Sequence, residues 1–229
     1  VKGTGAVSVT RSAFVASLEL EAAWARPGDD VSLVVATLSP DGALMPAHGT
    51  LRVDEILGVT DNGAVRGEQL VEEKPLATDT NGPTRTRWRA PKTGQYRFTF
   101  SAKDKEGNDV KASAVAWVVG PDFVGEKYRF AGVEIVPDKR VYQPGDVARL
   151  LVSADEKDAS VLLATKVDNG YLVDWRVITL PNKTTIVELP ITKEHTPNFF
   201  VEATTVANGQ LFDDAREMFV PPQGSELNV

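Results

Sequence analysis

Arg26-Pro27-Gly28-Asp29-Asp30-Val31-Ser32-Leu33-Val34-Val35 and, 117 positions later, Gln143-Pro144-Gly145-Asp146-Val147-Ala148-Arg149-Leu150-Leu151-Val152 are two copies of one pattern. In each, Pro-Gly makes a tight turn in which glycine tolerates a positive φ, and the acid that follows leads into an inner strand. One such repeat implies two related folding units in tandem. A boundary falls at Val119-Gly120-Pro121-Asp122, where a strand run stops at a Gly-Pro break before a charged stretch resumes. The expected domains are residues 1–120 and 121–229.

Outward from these turns, apolar residues alternate: Leu18 and Leu20, Leu51 and Val53, then Tyr96, Phe98 and Phe100 each put one face inward at period two. No window of a dozen residues reads as an amphipathic helix. The expected strands in the first half are Phe14–Glu21, Asp30–Leu38, Gly49–Leu57, Thr84–Ala90, Gln95–Lys103 and Asp109–Val119. Those in the second half are Tyr128–Val136, Asp146–Ser153, Ser160–Asp168, Tyr171–Leu180, Thr184–Leu189, Asn198–Ala207 and Gln210–Val220. Asn169-Gly170 and Asn208-Gly209 lie between such runs and predict type I′ hairpins. Short strands punctuated by Gly, Pro and Asn define the fold class as all-β, two tandem antiparallel β-sandwiches of immunoglobulin-like or fibronectin-like architecture.

Composition bounds the chemistry. With 229 residues, 42% of them hydrophobic and 25% charged, the chain is of ordinary globular character and long enough for two cores. The absence of cysteine excludes Fe–S clusters, thiolate zinc sites, cysteine nucleophiles and a thioester on a cysteine side chain. The net charge of −7 is divided unevenly, −1 over residues 1–120 and −6 over residues 121–229. Such a balance disfavours nucleic acid and anionic lipid as partners. No apolar run approaches the roughly 20 residues that cross a bilayer, so no membrane insertion is expected. A start at Val1 without Met or a leader, and an end at Asn228-Val229, read as an excised fragment.

Extended, the second copy reads Val136-Pro137-Asp138-Lys139-Arg140-Val141-Tyr142-Gln143-Pro144-Gly145-Asp146-Val147-Ala148-Arg149-Leu150. Aspartate-lysine, a tyrosine shortly before proline-glycine and an alternating strand afterwards resemble the opening of macroglobulin-like domains of the alpha-2-macroglobulin family. Leu163–Asp168, the Asn-Gly hairpin, Val177–Leu180, Ile186–Ile191 and Thr196-Pro197-Asn198-Phe199-Phe200-Val201 are similar to that family's segment just ahead of its bait region. Residues 1–120 resemble it less specifically, through the shared Pro-Gly-Asp turn, Thr78-Asp79-Thr80-Asn81-Gly82 and Gly94-Gln95-Tyr96-Arg97-Phe98, and the hairpin Ala102–Asn108 is similar to many bacterial immunoglobulin-like modules. The resemblance implies seven-stranded sandwiches in the shell of a bacterial protease trap, periplasmic or at the cell surface. The implied partners are neighbouring domains of the parent chain and, through the parent, target proteases. The thioester-bearing helical domain of such traps has no counterpart here, and Arg66-Gly67-Glu68-Gln69 resembles Cys-Gly-Glu-Gln only superficially, since Arg66 has no thiol.

Candidate chemistry is sparse. His48 and His195 lie in different expected domains, so no paired ligand motif exists, and His195 reads as a strand-edge or turn residue. Gly-x-Ser-x-Gly, Walker and Gly-x-Gly-x-x-Gly motifs are absent. Asp29-Asp30, Asp213-Asp214 and the turn from Asp104 to Asp109 offer oxygens to calcium, but turn formation accounts for them without an ion. Arg85, Arg87 and Arg89 share one strand face opposite Trp88: either an anion-binding stripe extended by Lys92 and Arg97, or a solvated face with partners such as Glu72 or Glu73. The polar stretch Gly58–Pro83 reads as a long hairpin with a strand near Ala64–Glu72, or a cleavable or domain-contacting loop. Trp24, Trp88, Trp117, Tyr142, Trp175, Phe199 and Phe200 read as core and interdomain packing, with Trp24 the most prone to exposure; a carbohydrate platform competes.

No catalytic residue, cofactor site or metal site is assigned, and the chain is expected not to be an enzyme. The function expected is that of a non-catalytic scaffold fragment of a bacterial alpha-2-macroglobulin-like, broad-spectrum protease inhibitor. Its working surface would be the second-domain face and the tail Pro221-Pro222-Gln223-Gly224. The alternative is a ligand- or carbohydrate-binding tandem module of a bacterial adhesin or secreted enzyme.

Overall fold

Both copies of the Pro-Gly-Asp stretch fold into the same hydrogen-bonded corner. Gly28 and Gly145 adopt φ of 90° and 101°, the left-handed region that glycine enters without steric cost. The acid closes each turn, because the Arg26 N–H donates to Asp29 Oδ2 at 3.0 Å and the Gln143 N–H to Asp146 Oδ2 at 3.0 Å. The corner is then tied to a distant strand end. Gly28 donates to the Ala90 carbonyl at 2.8 Å and Ala90 donates back to Asp29 at 2.9 Å; Gly145 and Ile191 exchange the corresponding bonds, Gly145 to Ile191 at 2.8 Å and Ile191 to Asp146 at 2.9 Å. A motif read as a local turn is thus also a long-range staple, made twice.

The computed structural model describes residues 12–60, 64–120, 122–123, 125–167 and 170–222. These divide into two compact units: 12–21, 25–57 and 65–120 in the first, and 22–24, 58–60, 64 and 122–222 in the second. Among the described residues the fold is all-β, with single 3₁₀ turns at Gly125–Lys127, Pro181–Lys183 and Lys193–His195.

The first unit is built from β1 (Val15–Leu20), the Ala25 end of β2 (Trp24–Ala25), β3 (Asp30–Leu38), β4 (Ala47–Ile56), β5 (Glu68–Thr78), β6 (Thr84–Arg89), β7 (Gly94–Lys103) and β8 (Asp109–Val118). One sheet has the order β1-β3-β6 and the other β2-β8-β7-β4-β5. The second unit comprises β9 (Val133–Pro137), β10 (Val147–Ala154), β11 (Ala159–Val167), β12 (Leu172–Leu180), β13 (Thr184–Pro190), β14 (Asn198–Ala207) and β15 (Gln210–Phe219). Its sheets run β13-β10-β9 and β12-β11-β14-β15. Apart from the two-residue β2, each strand of the first unit has a counterpart in the same place in the second: three plus four strands, all antiparallel. Each pair of sheets encloses its own core, around Leu33, Leu51, Phe98 and Trp88 in the first unit and around Ile135, Leu150, Val161 and Phe199 in the second.

Differences in core composition follow from the corner. Tyr142, in the second copy, is buried, and its hydroxyl donates to Asp138 Oδ1 at 2.7 Å while accepting from the Lys139 N–H at 3.1 Å. Asp138 Oδ1 also receives the Arg149 N–H at 2.9 Å, so the aspartate, the tyrosine and the strand after the turn are one network. This explains the Asp-Lys and Tyr spacing in the sequence. In the first copy the same positions hold Glu21 and Ala25. There Trp88 stands where the second copy has Leu189, packing its ring against Tyr96 and Phe98 at 4.7 and 5.3 Å.

Several predicted details change. The Gly58–Pro83 stretch, expected as a hairpin with a strand near Ala64–Glu72, contains an 11-residue strand, β5, shifted toward its C-terminal side and paired along β4. The strand expected from Tyr128 begins at Val133. Before it, Phe123 stacks on Tyr128 with centroids 5.7 Å apart, and Asp155 gathers Arg129 at 2.6 Å, Lys183 at 3.3 Å and the Phe130 N–H at 3.4 Å. Backbone polar groups spent on this anchor are unavailable to a ladder. The Asn208-Gly209 hairpin has φ of 51° and 75° at its two central residues, the type I′ signature. Asn169 lies outside the described residues; Gly170 beside it has φ 75°.

β9 borders its sheet, yet its outer edge is closed by side chains from β15. The Ile135 N–H donates to Asp214 Oδ2 at 2.8 Å, Arg216 Nε donates to the Ile135 carbonyl at 2.9 Å, and Arg216 Nη1 holds Asp214 Oδ1 at 2.6 Å. The pair presents a donor and an acceptor where a neighbouring strand would present its own. Burial raises the pKa of Glu134 on the same strand.

Candidate functional site

The most accessible apolar surface of the second unit is the outer face of its four-stranded sheet. Leu163 and Ala203 are buried in the core, so their neighbours in sequence on β11 and β14 point outward. Residues opposite one another in an antiparallel pair share a face. One outer row is therefore Trp175, Ala164, Glu202 and Ala215, and the next is Val177, Leu162, Thr204 and Asp213. Trp175 and Val177 are each 61% exposed, and Leu162 beside them is 40% exposed. Lys166 and Glu202 pair at 2.5 Å at the border of this strip. Arg176, opposite buried Leu163, faces the other way and donates to the Glu188 carbonyl at 3.0 Å. Such a surface offers contact area, with burial of a tryptophan and a valine worth about 2–3 kcal/mol each.

Trp24, expected to be the most exposed tryptophan, is 4% exposed, and Trp175, expected to be packed, is the open one. The error has a physical cause: on the edge strand β12 alternation gives an outward ring no covering neighbour. Trp88, Trp117, Tyr142 and Phe199 are buried as expected.

The arginine stripe lies on β6, which pairs with β3 and sets Arg85, Arg87 and Arg89 opposite Val34, Ser32 and Asp30. Arg85 reaches Glu21 at 3.5 Å, not Glu72 or Glu73, since Glu72 pairs with Lys74 at 3.0 Å. Lys92 and Arg97, the proposed extensions, are held by Glu55 at 2.8 Å and Glu68 at 3.2 Å. Glu68 belongs to the Arg66-Gly67-Glu68-Gln69 stretch, which leads into β5.

The acidic candidates are occupied by turns. Asp104 accepts the Ala13 N–H at 3.2 Å, the Glu106 N–H at 3.0 Å, the Asn108 N–H at 2.8 Å and the Asn108 side-chain amide at 2.8 Å. These bonds, the Asn108 amide foremost, lower its pKa to about 2. Asp29 closes its corner and Asp214 belongs to the Ile135 clamp. No three metal-ligating side chains come together among the described residues. His48 is exposed; His195 is buried in a 3₁₀ turn, where Nδ1 accepts the Thr192 N–H at 3.0 Å and the ring meets Phe199 edge-on at 4.8 Å. Burial lowers its pKa. Pro221 and Pro222 are exposed, and Gln223 and Gly224 lie outside the described residues.

Residues 133–229 match the family model described as the alpha-2-macroglobulin bait region domain, and the match begins at the first residue of β9. Over its second sandwich the chain carries an alpha-2-macroglobulin family domain. The alpha-2-macroglobulin homolog of Deinococcus radiodurans is 27% identical over 206 residues, covering 87% of this chain and 20% of that protein. The homolog from Nostoc sp. is 25% identical over 193 residues, 80% of this chain and 10% of its own length. The chain thus spans a fifth and a tenth of the macroglobulin relatives it matches. A crystal structure of trypsin-activated alpha-2-macroglobulin from Escherichia coli aligns over 93% of this chain and 17% of its own, at 13% identity and a TM-score of 0.37. A tetra-tandem repeat of a large adhesion protein aligns over 93% and 50%, at 15% identity and a TM-score of 0.34. The motif resemblance put the second unit just ahead of the family's bait, whereas the matched model bears the bait region's own name.

Proposed function

We propose that this chain is a non-catalytic structural segment of a bacterial alpha-2-macroglobulin-like protease trap, acting outside the cytoplasm as two tandem domains, residues 1–120 and 121–229. The observation that carries this reading is the bait region domain match over residues 133–229, which takes in the second sandwich from its first strand. The duplicated corners supply rigid, separately cored blocks, and the strip around Trp175 supplies contact area for a sister domain of the parent chain. Its work is packing and transmission: when the parent's bait is cut, the blocks move as bodies and carry the rearrangement. Target proteases are engaged through the parent protein.

The test uses the longer protein that contains this sequence. Limited digestion with an endoprotease should produce a compacted species of altered native-gel mobility with the protease retained in it. Digestion that only fragments the protein, without compaction or capture, refutes the proposal.

A further inference from the structure

The duplication provides an internal control for the two exposed sheet edges, β5 and β12. Each carries one bulge: Val71 is skipped between Glu72, opposite Val53, and Leu70, opposite Asp54, and Val173 is skipped between Asp174, opposite Thr165, and Leu172, opposite Lys166. Aligned on these bulges, Glu72-Glu73-Lys74-Pro75 of β5 corresponds to Asp174-Trp175-Arg176-Val177 of β12. β5 carries the usual defences against strand addition, three glutamates, a lysine and a proline. At two of those positions β12 has Trp175 for Glu73 and Val177 for Pro75. A proline within a sheet sits where its missing N–H would have faced away from the ladder, so the Val177 N–H is an outward-facing edge donor. By alternation the backbone of Trp175 faces the same way.

We infer that β12 is a self-association edge, on which a second copy of this chain adds its own β12 antiparallel about a twofold axis at Trp175. Charge selects this partner and this register. With Trp175 opposite Trp175 of the second copy, Asp174 faces Arg176 of the other strand and Arg176 faces its Asp174, while Val173 and Val177 meet across the junction. Asp174 has no ion-pair partner among the described residues, so each copy brings an open acid and a matching guanidinium. A contact that maps a surface onto itself is the isologous type from which twofold dimers are built. The outer faces stay on one side of the merged sheet, so the two strips around Trp175, Val177 and Leu162 become continuous. The bulge at Val173 keeps the regular ladder short, and one strand edge buries less than the roughly 1,000 Å² of a stable interface. The association is therefore weak and reversible, with a dissociation constant in the high micromolar range or above. The inference is independent of the protease-trap reading.

Sedimentation equilibrium of the 229-residue chain across micromolar to millimolar concentration tests it. Wild type should self-associate to a dimer, and the double variant Trp175→Glu, Val177→Pro, which imports the residues that β5 already accommodates, should remain monomeric. Asp174→Arg and Arg176→Asp should each weaken self-association about tenfold, since either puts like charges opposite one another on both sides of the axis. An equimolar mixture of these two variants restores opposite charges in both pairs and should form a heterodimer about as tight as wild type. Circular dichroism of each variant establishes that it is folded. A monomeric wild type, an undiminished dimer in the double variant, or a mixture no tighter than either variant alone each overturns the inference.

Discussion

Replacing Tyr142 by Phe removes one oxygen and nothing else, which makes it a sharp probe of the second corner. That oxygen donates to Asp138 Oδ1 at 2.7 Å and accepts the Lys139 N–H at 3.1 Å, while the ring stays in the core against Phe199. A hydrogen bond to a charged group is worth about 1.5–3 kcal/mol, and the partly buried hydroxyl places the expected loss near about 2 kcal/mol. That is roughly a thirtyfold fall in the folded-to-unfolded ratio of the second sandwich. Urea unfolding followed by circular dichroism should show a lower midpoint at unchanged m-value for the transition assigned to residues 122–222. Amide hydrogen exchange adds the site-specific readout. The Lys139 amide loses its acceptor and should exchange faster, whereas the Arg149 amide keeps Asp138, 2.9 Å away, and should be protected to the extent set by global stability. A midpoint unmoved within error, or a Lys139 amide that exchanges no faster than in wild type, refutes the view that the tyrosine, the aspartate and the turn form one network.

Other outcomes follow from contacts already described. Gly49→Ala sets a Cβ 2.5 Å from the Ser101 carbonyl oxygen, a backbone atom that cannot swing aside, so thermal unfolding should show a loss of about 1–3 kcal/mol in the first sandwich. Gly132→Ala meets the Phe212 ring at 2.0 Å, and adding Phe212→Ala should recover part of the cost, a coupling read by a double-mutant cycle. The pKa of Asp104 is depressed to about 2 in the folded chain, so its contribution is complete above the ordinary value of 3.8 and disappears as pH falls toward 2; Asp104→Asn should flatten that part of the stability–pH curve. His195 has a folded pKa below its ordinary 6.5 because of burial, so its contribution holds above that pH and is lost on acidification, and its ring resonances in an NMR titration should move at lower pH than those of a free histidine.

Inner strands were the most legible part of the fold. Asp30–Leu38 and Asn198–Ala207 coincide with the expected segments because one face of each lies on the core while neighbouring strands hydrogen-bond both of its edges. Only the start of β5 was legible, within the expected strand near Ala64–Glu72, because Glu73, Lys74 and Pro75 describe an edge, where protection against pairing erases the apolar pattern that announces a strand. Tyr128-Arg129-Phe130 alternates like a strand, yet Asp155, remote in sequence, captures it. The same limit hid the open surface. Trp175 reads as core from its type, and only the sheet order, which leaves β12 with a single neighbour, shows that nothing covers it. A duplicated turn was visible in the residues; its bonds to Ala90 and Ile191 were not, since those partners carry no motif.

The Asp214–Arg216 pair means that one border of the second sandwich is sealed by replaceable appendages rather than by a further ribbon of main chain. A border of that kind is reversible in evolution. One codon change at either position would bare the Ile135 amide or carbonyl and leave a vacancy for a donated strand from elsewhere in a larger assembly, without any rewiring of the seven-stranded block itself.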